Sequence, residues 1–466
     1  MTVTIDVGTT AVKVLYFDET DHLVKETSQD YPTDYFGDGC AEQNPDMIVQ
    51  AVFHSIKTLA LTHKETIVLS TAMHSLMAVD KNFNKKTNLM IWADHRADEV
   101  IASFKKTPLA QVFFNKTKTP IHPMSPFAKL LWLKETRQGQ TLNEQLEDVH
   151  WIDIKTYLWY HLTGYNECDY SLGSATGLFN SETLTYDEAI LSFLNINNYQ
   201  LPVLVPVTHT RVVTNSVKNR LGYSHAVVIG ASDGVLANIS EGMNQPDVHV
   251  TIGTSGAIRM TVPRPYTDPE GRLFCYYLND SHWVIGGAIN NGGNVLKWLD
   301  DVLFDGTSSI YSFIDTLDFR SFDPTLVFIP HLNGERAPYW DTGRTGSFIG
   351  LKMSHKKEAL VKAVIYGLLF NLRHVFDTLQ SVTGDISEVY LSGGFFKVKQ
   401  MKALISQVLN VSIIESTTLE QTSKGALNLV SQMKKRLTAD YKMITKVPTK
   451  EIQDYYAYYL ECIEEK

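Results

Sequence analysis

Short apolar runs that break on glycine or on small polar residues set the rhythm of this chain. Residues 3–7 and 12–17 alternate apolar and polar positions on either side of Gly8-Thr9-Thr10, the pattern of two strands joined as a hairpin. Further apolar runs at 67–69, 227–229, 248–252, 283–285, 326–329 and 389–391 mostly lead into Gly, Ser or Asp. Runs of that length, bounded by turn residues, predict buried strands whose ends present small or polar groups. The helical period is clearest after Ser354, a candidate N-cap. There Leu360, Val364, Leu368, Leu372, Phe376 and Leu379 repeat about every four residues up to Gly384. A strand at 389–391, the turn Ser392-Gly393-Gly394 and a helix through 401–409 follow, and 153–162 reads as a helix closed by Thr163-Gly164. The pattern predicts a mixed α/β protein.

Two of these strand ends are the same device. Ile5-Asp6-Val7-Gly8-Thr9-Thr10 and Val250-Thr251-Ile252-Gly253-Thr254-Ser255 each run an apolar strand into a Gly and two hydroxyl residues. Glycine permits a tight turn in which successive backbone N–H groups converge, and the hydroxyls add donors suited to phosphate oxygens. Used twice, the device predicts a nucleotide clamped between two related halves. Asp6 interrupts an apolar strand, and a carboxylate there is costly to bury unless it is paired or metal-bound. It reads either as a Mg²⁺ ligand facing the cleft or as an Asp that organises the hairpin. The polar, proline-containing break Met243-Asn244-Gln245-Pro246-Asp247 predicts domains at 1–243 and 244–466.

A length of 466 residues fits two or three domains rather than one core. The net charge of −9 speaks against a nucleic-acid partner, though a small anion can still be held by local dipoles and a few cations. No apolar run reaches the roughly 18 residues that span a bilayer, and the chain opens on a strand rather than a leader. The four Cys are scattered without a CxxC pair, which predicts reduced thiols and a cytoplasmic protein. A GxxxxGK[ST] loop, a GxGxxG fingerprint and a protein-kinase catalytic loop are all missing from the sequence, so any ATP would be held by split glycine turns.

At this point nine blocks in order resemble the FGGY family of carbohydrate kinases. They are Asp6-Val7-Gly8-Thr9-Thr10, Glu42-Gln43-Asn44-Pro45, Trp92-Ala93-Asp94-His95-Arg96, Ser174-Ala175-Thr176-Gly177, Gly230-Ala231-Ser232-Asp233-Gly234, Gly253-Thr254-Ser255, Asn291-Gly292-Gly293, Gly334-Glu335-Arg336-Ala337-Pro338 and Gly393-Gly394. The resemblance implies two RNase H-like domains of the actin/hexokinase ATPase type, with sugar and Mg²⁺-ATP meeting in the interdomain cleft. It implies Asp233 as the general base; from the residues alone, an Asx-type turn residue before a helix is the favoured reading of Asp233. It assigns Asp6 to Mg²⁺, and Thr9, Thr10 and Thr254 to the β- and γ-phosphates. Lys13 is either a phosphate partner or a solvated surface lysine. Gly293, Lys297, Gly393 and Gly394 align with nucleotide contacts.

On the acceptor side the resemblance puts Met73, His74, Trp92 and Met124 in the sugar pocket, although a lone His after a strand is more often structural than a ligand contact. Asp94 and Arg96 read as a structural pair. Three passages resemble the gluconate-phosphorylating branch: Ser70-Thr71-Ala72-Met73-His74-Ser75, Ile91-Trp92-Ala93-Asp94, and Thr119-Pro120-Ile121-His122-Pro123-Met124-Ser125-Pro126. Ala72, Ser75 and Ala93 depart from the Gln-Met-His-Gly and Trp-Asn-Asp of xylulokinases, so gluconate is the first expectation and xylulose or another pentulose or polyol the second. A carboxylate on the substrate calls for a cation, with His74, His122, Lys129 and Arg96 as candidates. Arg336 reads as a partner of Glu335 or of the sheet edge. Members of the family are often dimers. A rival of another class is an actin-like nucleotide sensor without turnover; the presence of Asp6, Thr9, Asp233 and Thr254 speaks against it.

Overall fold

The computed structural model of the chain describes residues 1–37, 39–61, 65–144, 146, 148–242, 247–304, 309–415, 420–431, 443–444 and 449–464. Two sheets dominate it, and they share a pattern. In the first, Thr2–Val7 pairs antiparallel with Ala11–Phe17 and parallel with Thr66–Thr71. The edges are completed by Leu23–Asp30 on one side and by Ala226–Ser232 and Thr210–Val212 on the other, giving six strands. In the second, Val248–Ile252 pairs antiparallel with Gly256–Val262 and parallel with Glu388–Ser392. Phe274–Asn279, His282–Ile289, Ser412–Glu415 and Met443–Ile444 bring it to seven strands. A hairpin whose first strand also pairs in parallel with a strand far along the chain is the repeated unit of both lobes, and the RNase H-like expectation is met.

The apolar pattern explains where each core lies. Val3, Ile5 and Val7 are buried and Asp6 between them is half-buried. Helix Pro45–Leu59 lays Ile48, Val52, Ile56 and Leu59 along one stripe against that sheet; the Asn44 side chain caps its first turn. Lys357–Thr383 is the core helix of the second lobe, burying Val361, Val364, Ile365, Leu368, Leu372 and Phe376. Among the described residues it alone is long and apolar enough to cross a bilayer, and it is mostly buried inside the protein.

One boundary differs from expectation. Ser354 is not the N-cap; the helix starts at Lys357, after Lys356, without a side-chain cap. The His355 amide bonds the Lys352 carbonyl and its ring meets Asp323 at 3.0 Å, which holds the preceding turn out of helical register. The expected domain junction at 243/244 lies outside the described residues. The lobes meet where helix Gln421–Ser431 crosses Asp233–Ala237. Asn428 donates there to the carbonyls of Ile239 and Ser240 at 2.8 and 2.9 Å.

Candidate active site in the interlobe cleft

Both lobes contribute to one cleft of about 1020 Å³. Thr9, Thr10, Met73, His74, Trp92, Met124 and Asp233 face it from the first lobe, and Gly253, Thr254, Arg259, Tyr276 and Arg336 from the second. The first glycine turn, remote in sequence, thus meets Asp233 and the second turn in one cleft. Asp6, Lys13, Gly293, Lys297, Gly393 and Gly394 do not line it.

The first turn is held from below by its own hairpin and from the side by aromatics. Gly8 N–H donates to the Ala11 carbonyl at 3.0 Å, Gln43 Nε2 to the Thr9 carbonyl at 2.5 Å, and the Tyr31 hydroxyl to the Gly8 carbonyl. Trp92 Nε1 donates to Thr9 Oγ1 at 2.9 Å, tying the acceptor side of the cleft to the turn. The second turn is held by a helix. Gly253 N–H closes on the Ser255 carbonyl at 2.8 Å, while Gly293 and Asn294 N–H, opening helix Gly293–Leu303, donate to the Gly253 and Thr254 carbonyls at 2.8 and 3.1 Å. A Cβ on Gly293 would stand 2.6 Å from the Gly253 carbonyl oxygen, so only glycine lets the helix approach this closely. Gly393, in a left-handed conformation, presses against the Ile252 carbonyl below the same turn. Gly394 and Lys297 are exposed. Lys13 is bridged to Glu420 of the other lobe at 2.9 Å.

Asp233 reaches the cleft through a defect in its strand. Ala226–Ser232 changes register between Val228 and Ala231, where Gly230 has φ of +69°. A Cβ there would lie 1.8 Å from the Leu69 carbonyl oxygen, so this bulge requires glycine. Beyond it, Ser232 is pinned to Ser171, with Oγ atoms 3.1 Å apart, and Asp233 opens a short helix with its carboxylate accepting from Gly234 N–H at 2.6 Å. Burial raises the Asp233 pKa, while Arg259 opposes the rise. Asp6 accepts from Ser70 Oγ at 3.0 Å, and burial together with the charge of Asp233 pushes its carboxyl up to about 7. Both carboxyls are thus raised, and Asp6, which does not line the cleft, feels the charge of Asp233, which does.

The acceptor side is built on His74. Its backbone is left-handed, with φ of +68°, and Nδ1 lies 2.9 Å from the Ala175 carbonyl. A carbonyl only accepts, so Nδ1 carries the proton and Nε2 remains an acceptor. Burial lowers the ring's pKa to about 3, which keeps it neutral. Met124 is buried at the cleft wall. The four candidate cations are all occupied or neutral. Arg96 is held by Asp94 at 2.7 Å and by Glu42 at 2.5 Å, the structural pair expected for Asp94 and Arg96. The Lys129 ammonium donates to the carbonyls of His74 and Met124 and is lowered to about 7 by burial. His122 is buried and its pKa lies well below the ordinary value.

The cations that do face the cleft are Arg259 and Arg336. Arg336 stands over the Trp92 ring, with Cζ 5.1 Å from its centroid, and donates from Nη2 to the Ile289 carbonyl at 2.9 Å. Arg259 lies beside Gly234 and Met73. A charged residue inside the run Gly256–Val262 is the same signal that singled out Asp6, and it marks Arg259 in the sequence.

Residues 1–240 match the N-terminal domain, and residues 248–431 the C-terminal domain, of the FGGY family of carbohydrate kinases. The gluconokinase of Bacillus subtilis (strain 168) is 36% identical over 91% of this chain and 85% of its own length. The solved gluconate kinase of Lactobacillus acidophilus superposes with a TM-score of 0.91 at 32% identity, covering 100% of this chain and 97% of that one. A ligand-bound xylulose kinase from the same organism superposes with a TM-score of 0.91 at 31% identity, covering 100% and 98%. With two lobes of one design closing on a shared cleft, the chain belongs to the FGGY family of carbohydrate kinases and is a phosphotransferase acting on a small sugar-type substrate.

Proposed function

We propose that the protein transfers the γ-phosphoryl group of ATP to the terminal hydroxyl of D-gluconate, giving ADP and 6-phospho-D-gluconate. The convergence of Asp233 with both glycine turns in one cleft carries the kinase reading, and the likeness to gluconokinase carries the choice of acceptor. The half at 1–243 would hold mainly the sugar and the half at 244–466 mainly the nucleotide.

A sugar hydroxyl is a weak nucleophile, and a carboxylate that takes its proton as the new bond forms is the remedy. Asp233 suits that role. It sits at the cleft wall, its pKa is raised, and its one hydrogen bond is to the Gly234 amide. Thr9, Thr10 and Thr254 with the backbone of both turns would receive the phosphates. Asp6 would hold Mg²⁺. A half-buried carboxylate bonded among the described residues only to Ser70, and feeling the charge of a second carboxylate, suits a cation that keeps most of its waters and takes one or two protein oxygens plus phosphates. When bound, Mg²⁺ neutralises charge on the phosphate oxygens. Neutral His74 would accept from a substrate hydroxyl, and closure of the lobes would keep water from competing as acceptor. No disulfide joins the four cysteines, in keeping with a cytoplasmic enzyme.

A pentulose is the second reading, favoured by the likeness to a xylulose kinase. Assay of D-gluconate, D-xylulose, L-ribulose and glycerol side by side decides between them. We expect by far the highest kcat/KM for gluconate; a clear preference for xylulose moves the chain to the second reading. ATP hydrolysis independent of any acceptor would favour a sensor without sugar turnover.

A further inference from the structure

Three side chains of the second lobe bring unused hydrogen-bond donors to the acceptor side of the cleft. Among the described residues, the enclosed Nε of Arg259 and of Arg336 and the hydroxyl of the buried Tyr276 find no partner. All three line the cleft. Their neighbours place them against the sugar pocket, with Arg336 also bonded to the strand that pairs beside the second glycine turn. Arg336 lies over Trp92, Tyr276 meets the His74 ring edge-on at 5.9 Å, and Arg259 stands against Gly234 and Met73. Their charge is answered from within only at a distance, by Asp233 and Glu335. Among the described residues Arg259 has no ion pair, although Asp233 is near enough to be felt. Glu335, next to Arg336, is taken up by Asn291, Asn371 and the amides of Asn290 and Arg336. The two guanidinium groups also repel each other. Two half-buried guanidinium groups without a bonded carboxylate among the described residues are costly, and the cost is recovered when an anion arrives between them.

We infer that Arg259, Arg336 and the Tyr276 hydroxyl form the subsite for the acceptor's carboxylate, and so separate a sugar acid from a neutral sugar. The inference rests on the gluconate reading above and adds the residues that would enforce it. A planar fork of N–H donors matches a carboxylate with two parallel bonds, which an ammonium cannot do. A neutral polyol in the same cleft would leave both guanidinium groups unanswered.

The test compares kcat/KM for D-gluconate with that for the better of two neutral acceptors, D-glucitol and D-xylulose. It uses the wild type and the variants Arg259→Gln, Arg259→Lys, Arg336→Gln and Tyr276→Phe, with ATP affinity as the check on folding. The expected result is a gluconate-over-neutral ratio lowered about 30-fold or more by each Gln variant, less by Arg259→Lys and least by Tyr276→Phe. A ratio that stays within about 3-fold of wild type in both Gln variants overturns the subsite, because damage to folding or to phosphate binding lowers both acceptors together. A wild type that prefers a neutral acceptor overturns the gluconate reading itself, a separate outcome read before any variant is made.

Discussion

The two glycine turns carry the same scaffold and differ in one functional group. Two residues before each turn glycine stands a side chain that bonds a serine directly across the parallel strand. In the first lobe Asp6 accepts from Ser70 at 3.0 Å, and in the second Thr251 meets Ser392 at 2.8 Å. The geometry is repeated; the charge is not. A carboxylate at this depth is strained toward protonation by burial, whereas a threonine satisfies the same serine with no charge at stake. The second turn has the N-terminus of helix Gly293–Leu303 bonded directly to its carbonyls, a source of fixed positive dipole. One lobe would supply the acid and base groups, the other backbone donors.

Changing the paired positions tests that division. Asp6→Asn should lower kcat by about 10³-fold through weaker Mg²⁺-ATP use, whereas Thr251→Val should cost less than about 10-fold. Equal losses would erase the contrast. Gly293→Ala should follow, raising the KM for ATP by about tenfold as the added Cβ forces the helix off the turn. Gly8→Ala meets only the Ala11 carbonyl oxygen, at 3.3 Å, and should be milder.

The pH dependence sharpens the same point. Asp6 titrates in the fold near 7, above an unfolded carboxyl, so its contribution favours the folded state at low pH and is lost as pH rises through that value. Ligand-free Asp6→Asn should therefore melt roughly 2 °C above wild type at pH 8, with the gap closing toward pH 5. Thr251→Val should show no such pH-dependent gap. The smallest effect concerns Lys13. Its bridge to Glu420 is partly exposed, so Lys13→Met should change stability by less than about 1 kcal/mol. A KM for ATP moved more than about 3-fold by that variant would mean that Lys13 leaves Glu420 for the phosphates.

Much of this is readable in the chain because local rules and the fold agree. The glycine turns and the core helix through Leu368 and Leu372 follow from pattern alone, since each is set by its immediate neighbours, whereas Asp233 is carried to the cleft by a bulge packed on the remote Leu69 carbonyl. What is not readable depends on partners remote in sequence. His122, Lys129 and Arg96 read as cations for a substrate, and only the fold reveals the carbonyls, carboxylates and burial that occupy or neutralise them. Lys13 finds a partner 407 residues away. Gly293 and Gly393 read as ligand contacts, yet the carbonyls they press against belong to the second turn's own strand and loop. Arg259 carries a legible signal, a charge inside an apolar strand, but the run around it reads as core and hides it.

The most direct measurement is phosphoryl transfer by Asp233→Ala, with ATP affinity determined on the same sample. The account predicts that 6-phosphogluconate formation falls by about 10³-fold or more while the Kd for ATP stays within about 3-fold of wild type. A folded Asp233→Ala protein that turns over gluconate at a rate close to wild type would contradict it.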